Sequence, residues 1–215
     1  MGFDASLLNR IRQNSPSVTA VSCYNSLTEE EIKELAEALE KNTHVRSLSL
    51  ADCEITDTTL KPLAEVLLKH PSIESLNLTS NLFTDRGAQL VAEIIRQNKI
   101  IQKLELRLNP DITDEGASYL NDAVRDNYIL KAFLFEKLSE EAKALIGRNI
   151  DQYRFFEKIK TLVEDLKNSG GIQPEKSNWL LENIKLSFDN FQKKDNNLAS
   201  KELNGLPEFR KPTVF

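Results

Sequence analysis

Chemistry in this chain would have to start from two histidines, two cysteines and a few clustered carboxylates. His44 and His70 are the acid–base candidates. His70, however, stands in a series with Asn14, Asn42, Asn98 and Asn127, at a place where a helix has to stop, so a capping role accounts for it. His44 precedes a strand, and no Ser, Cys or carboxylate is held near it by the same period. Cys23 falls among inward leucines and Cys53 in an Asn/Cys position, so both read as buried, inert thiols. Glu29-Glu30-Glu31 and Glu140-Glu141 occupy first turns of helices, where negative charge complements the dipole. Asp111, Asp114 and Glu115 come nearest to a calcium loop, but Thr113-Asp114-Glu115 is a helix start seen in other repeats. Walker A, HExxH, GxSxG and CxxC patterns are absent, and Gly170-Gly171 lacks the lysine of a phosphate loop. The expectation is no enzyme, no metal and no cofactor. An enzymatic alternative would rest on Asp151 or Glu157, for which no paired base and nucleophile are in view.

What positions these residues is an internal repeat. Asn14, Asn42, His70, Asn98 and Asn127 stand at steps of 28, 28, 28 and 29. Thr28, Thr56, Thr84 and Thr113 follow at 28, 28 and 29, and so do the strand starts Val45, Ile73, Ile101 and Leu130. The extra residue comes from Asn109-Pro110-Asp111-Ile112 in place of Asn81-Leu82-Phe83. Each threonine precedes a helix, where its hydroxyl can cap an orphan N–H, and Thr28 with Glu31 has the capping-box spacing. The asparagines fall 14 residues later, where Asn suits a left-handed helix C-cap.

Helix core positions align as Leu7, Leu35, Leu63, Val91, Leu120 and as Ile11, Leu39, Leu67, Ile95, Val124. Leu8, Ala36, Ala64, Ala92 and Asn121 lie between them, which predicts close helix packing. Inward strand positions are Val21, Leu48, Leu76, Leu104, Phe133 and Cys23, Leu50, Leu78, Leu106, Phe135. The pattern LxxLxLxxN/C, with Cys53, Asn81 and Asn109 at its last place, resembles a leucine-rich repeat of the ribonuclease-inhibitor-like class. That class includes NOD-like receptor sensors and the C-terminal half of tropomodulins. Asn42–Asn81 in particular looks tropomodulin-like. The resemblance implies an α/β fold: a right-handed solenoid with parallel strands on a concave face, helices on the convex face, and an α-helical C-terminal cap.

The expected organisation is a repeat domain over 1–147, a helical hairpin over 148–195 and a mobile tail over 196–215. The repeat decays after Leu138-Ser139-Glu140-Glu141. Ile150–Asn168 then forms an amphipathic helix ended by Ser169-Gly170-Gly171, and Pro174 introduces a second helix near Asn178–Lys194. Phe155 and Phe156 are adjacent, so one of them is expected to be exposed. Together these helices would cap the open end of the solenoid.

Net charge is −5 and pI about 5.3, which speaks against nucleic-acid or anionic-membrane partners. No apolar run approaches the ~18 residues that span a bilayer, and the N-terminus has no secretory core. Met1-Gly2 with Ser6 meets the short myristoylation pattern, but the repeat helix from Leu7 leaves little free arm. Paired with the two unpaired-looking cysteines, this suggests a cytoplasmic protein. Function then falls to the outward strand positions. The central column is Ser22, Ser49, Asn77, Glu105, Leu134, flanked by Ala20, Ser47, Ser75, Lys103, Ala132 and by Tyr24, Ala51, Thr79, Arg107, Glu136. Tyr24, Ser49, Asn77, Lys103, Glu105, Arg107, Leu108, Leu134 and Glu136 are the expected protein contacts, with Arg107 and Tyr24 as anchors. The chain is thus read as a module that binds a protein through the concave strand face and adjacent loops, by occlusion or scaffolding, with the C-terminal helices as the competing surface and no small-molecule substrate. A free-standing repeat protein with an apolar tail (Leu206, Phe209, Val214, Phe215) resembles bacterial effectors secreted into a host cell. The tropomodulin resemblance implies, as the alternative, actin or cytoskeletal binding.

Overall fold

The structure, a computed structural model, describes residues 4–186. Five strand–helix units follow one another: α1 (Ala5–Arg12), β1 (Ala20–Cys23), α2 (Glu29–Leu39), β2 (Ser47–Leu50), α3 (Asp57–Leu67), β3 (Ser75–Asn77), α4 (Asp85–Gln97), β4 (Lys103–Glu105), α5 (Asp114–Arg125), β5 (Ala132–Leu134) and α6 (Glu140–Asn168). The strands form one parallel sheet in sequence order, β1 to β5. Register follows the repeat: Ser22 pairs with Ser49, Ser49 with Asn77, Asn77 with Glu105 and Glu105 with Leu134. Val21, Leu48, Leu76, Leu104 and Phe133 point to the other face and are buried against the helices. The fold is the expected leucine-rich repeat architecture. Among the described residues no helix is long and apolar enough to cross a membrane.

Helix starts arise as the spacing predicts. Thr28, Thr56, Thr84 and Thr113 are all N-caps, and Thr28 and Glu31 close a capping box. Thr56 and Thr59 close a second box, in which the Thr59 hydroxyl accepts the Thr56 N–H at 2.9 Å. A third device spans the repeats. Asp57 Oδ1 accepts the N–H groups of Thr84 and Gly87 at 2.9 and 2.8 Å, and Asp85 does the same for Thr113 and Gly116 at 2.7 and 3.0 Å. The glycines are needed because a Cβ there would lie 2.5 Å from Asp57 Oδ1 or 2.3 Å from Asp85 Oδ1. Hydrogen bonds from Thr113, first of all that of its hydroxyl, hold the Asp85 carboxyl below its ordinary pKa.

The asparagine series does something other than end helices in the left-handed conformation. Only Asn14 has a positive φ, 51°, whereas the backbone at Asn98 is extended. The others work through buried side chains. Asn42 Oδ1 accepts the N–H groups of His44 and Val45, and its Nδ2 donates to Ile11 O of the preceding repeat. Asn98 serves Ile100, Ile101 and Leu67 O in the same way, and Asn127 serves Ile129, Leu130 and Ile95 O. A local reading cannot find this, because one partner is about 30 residues away. The more familiar ladder lies at the opposite end of each strand. Asn81 Oδ1 accepts from Cys53 and Ile55, its Nδ2 donates to Leu50 O and Leu78 O, and Asn109 repeats the pattern on Leu78 O and Leu106 O.

By contact density the described chain divides between Asp151 and Gln152. Yet α6 is one continuous helix of 29 residues, not a short repeat helix followed by a new one at Ile150. Asn149 explains the misreading: it sits in mid-helix, while its Nδ2 still bonds Asn127 O and Leu130 O like the other members of its series. Gly170, at φ 74°, ends the helix as expected. The next helix begins at 174, earlier than the expected Asn178, with Pro174 in its first turn, and is described to 186. The remainder of the helix expected to reach Lys194 and the expected tail lie outside the described residues.

His70 is the exception inside the asparagine series. Its Nδ1 accepts from Ser72 and Ile73 at 3.3 and 3.2 Å, matching an asparagine Oδ1. Its Nε2 faces Leu39 O, the place of Nδ2 in the series, without reaching hydrogen-bond geometry. Burial lowers its pKa to about 4, and Arg46 adds to the shift. The unfolded chain, with histidine near pKa ~6.5, therefore binds this proton first. The stabilising effect of the neutral ring is complete above that value and is lost as pH falls towards 4. The variant His70→Asn should fold and should lose that part of the pH dependence. Denaturant titrations at pH 7.5 and 4.5 should show wild type losing on the order of 2–3 kcal/mol more than the variant.

Candidate protein-binding site

On the open face of the sheet, side chains two residues apart in a strand lie side by side. β4 carries Lys103 and Glu105, and Arg107 follows on the same period. Glu105 Oε1 lies 2.7 Å from Lys103 Nζ, and Oε2 lies 3.4 Å from Arg107 NH2. Glu105 is largely shielded while both cations are about half exposed. The hydrogen bond from Lys103, then the charge of Lys103 and the bond from Arg107, hold the Glu105 carboxyl below its ordinary pKa. The result is a fixed anion between two cations whose outer sides remain free to meet a partner's carboxylates or carbonyls. Such pairs add little to stability at a surface.

The other expected contacts are divided between the sheet and its edge. Ser49 and Asn77 are half-buried in line with Glu105, and Asn77 spends its Oδ1 on the Thr79 N–H. Leu134 pairs with Glu105 in the register and is 39% exposed. Tyr24, just beyond β1, is 63% exposed. Leu108 and Glu136 belong to the loops after the strands, where Glu136 Oε1 accepts the Leu108 N–H at 3.0 Å.

Those loops form a rim, of which Leu108 and Glu136 are among the contacts expected from sequence but Asp52, Ser80, Leu82 and Pro110 are not. Asp52, Ser80 and Leu108 occupy one position in three successive repeats, and all three have left-handed backbone, at φ 59°, 57° and 57°. Asp and Ser tolerate that conformation better than Leu, for which it costs roughly 1–2 kcal/mol. Leu108 is nonetheless 65% exposed, so core packing does not compensate. Beside it Leu82 and Pro110 are exposed as well, and with Asp52, Glu54 and Ser80 they line an open groove. The sequence signal was present: Asn81-Leu82-Phe83 supplies two apolar residues where the core takes only Phe83.

The residues considered for chemistry are engaged elsewhere. His70 belongs to the buried series described above, and His44 donates its backbone N–H to Asn42. Cys53 donates to Cys23 O at 3.3 Å, and burial, with the adjacent Cys23 thiol, pushes its pKa up to about 12. Asp114 pairs with Lys137 at 3.2 Å and Glu115 accepts the Tyr119 hydroxyl at 2.7 Å. Glu157 pairs with Lys160 at 3.8 Å. Among the described residues no three His, Cys, Asp or Glu side chains converge as metal ligands.

Comparison with known proteins fits this geometry. A family model described as the TMOD/LMOD leucine-rich domain matches residues 4–107, and a leucine-rich repeat model matches residues 97–120. Among solved structures, leiomodin-1 actin-binding site 2 is similar at 26% identity and a TM-score of 0.67, covering 73% of this chain and 94% of that one. A tropomodulin C-terminal domain from Caenorhabditis elegans is similar in fold, at 22% identity and a TM-score of 0.62, covering 73% and 96%. No curated protein sequence matches the chain. Period, register, asparagine ladder and these matches agree on a leucine-rich repeat fold, similar over its repeats to the tropomodulin and leiomodin leucine-rich domains.

Proposed function

We propose that this chain is a non-enzymatic protein-binding module and that its partner is actin. The observation that carries the reading is the likeness to leiomodin-1 actin-binding site 2, which extends over 94% of that chain. The open sheet face and the rim supply what such a module needs. Two directed cations and an exposed leucine sit on the strands or just beyond them, and ladder hydrogen bonds fix the loops beside them. Binding would act by covering a surface of the partner and would need no movement of the repeats. The matches favour this over the bacterial-effector reading, which draws on a general resemblance and on a tail outside the described residues. With net charge −5 the chain is unsuited to polyphosphate, so a protein surface is also the better electrostatic fit.

Fluorescently labelled chain titrated with monomeric and filamentous actin tests the proposal. Saturable binding in the micromolar range is expected with at least one form, and its absence with both at about 50 µM would reject actin as the partner. Glu105→Arg and Arg107→Glu should each weaken binding about 5- to 10-fold without a change in Tm. Leu108→Asn should move stability and binding in opposite directions. Relief of the left-handed leucine should stabilise the fold by about 1 kcal/mol, while actin affinity falls several-fold. If affinity is unchanged, the rim is not a contact surface.

A further inference from the structure

Among the described residues, the unit from Gln152 onward holds an apolar stripe that its own packing leaves exposed. Phe155 and Leu162 are each 61% exposed on α6 and Leu166 is 49% exposed, with Ile159 half-buried between them. Their spacings of 4, 3 and 4 residues are those of a coiled-coil seam. On a helical projection the four lie within about 60° of one another. Val163, 3% exposed, lies to one side of that stripe, which marks the direction of the unit's own core. Lys158 and Asp165 lie on the other side, seven residues apart. Glu157 pairs with Lys160 and Glu164 with Lys167, whereas neither Lys158 nor Asp165 has an ion-pair partner among the described residues.

The pattern is self-complementary when reversed. If a second α6 lies antiparallel along the seam, Phe155 meets Leu166 and Ile159 meets Leu162, each twice by symmetry. The same register brings Lys158 of each copy to Asp165 of the other. A parallel pairing would set Lys158 against Val163 and Asp165 against Gly170 of the other copy and leave both charges unmatched. The geometry points to a second copy of this chain as the occupant of the stripe, in a two-fold antiparallel helix pair. Twelve residues make a seam of about 18 Å, at the small end of specific interfaces, so the dimer is a weak one with Kd on the order of 10–100 µM. This inference is independent of the actin reading, since the seam shares no residue with the sheet face or the rim.

Sedimentation equilibrium of the full chain from about 1 to 300 µM tests it. Wild type should shift from monomer to dimer across that range, and Leu162→Glu should stay monomeric with an unchanged circular dichroism spectrum. Lys158→Asp and Asp165→Lys should each weaken dimerisation at least 10-fold, and the double swap should return to within about 3-fold of wild type. A wild-type chain monomeric at 300 µM would overturn the proposal. So would a dimer indifferent to Leu162→Glu, or single charge changes that the double swap fails to rescue.

Discussion

Parallel strands joined through helices leave backbone groups at both turns of every repeat that neither strand nor helix can pair. Burying them unpaired would cost about 1–3 kcal/mol each. In this chain one side chain per turn removes that penalty by reaching across the boundary between repeats. His70 makes only the local bonds of its series, whereas Asn42, Asn98 and Asn127 do so where helices end, Asn81 and Asn109 where strands end, and Asp57 and Asp85 where helices begin. Because each bond crosses a boundary, the period must hold at all three places together. Hence an added residue has to fall in a loop between ladder positions, as it does at Pro110-Asp111.

The same constraint explains what could be read from sequence. Sheet columns were legible because the register equals the repeat: aligning Ser49, Asn77 and Glu105 by period also aligns them by strand pairing. Thr caps were legible because their partner is two or three residues away. The work of Asn98 was not, since a residue that ends a helix by its own conformation and one that bonds Leu67 O from the next repeat look alike in a string. Nor was the need for Gly87, which is set by the carboxylate of Asp57, 30 residues earlier. Asn149 keeps ladder bonds inside an uninterrupted helix, so the helix start expected at Ile150 falls within α6.

Subtracting these obligations leaves the outward side chains, which differ between early and late repeats. Most of the early strand face is small, polar and half-buried, while β4 and β5 bring together charges and an exposed leucine. Exposure was foreseeable there from the alternation of strand positions. The rim was harder to see, because its informative feature is conformational: a leucine held in backbone geometry that two neighbouring repeats give to Asp and Ser. Phe155 was identified in sequence only as one of two adjacent aromatics, and the structure shows that it is the exposed one. Its place in a seam becomes apparent only once Val163 fixes which side of α6 faces inward.

That binding is concentrated in the later repeats can be tested by amide hydrogen exchange on the chain alone and with saturating actin. The expected result is slowed exchange over 103–108 and 132–136, with 47–50 unchanged. Protection confined to the early strands, or absent from the whole repeat domain at saturation, would contradict the account.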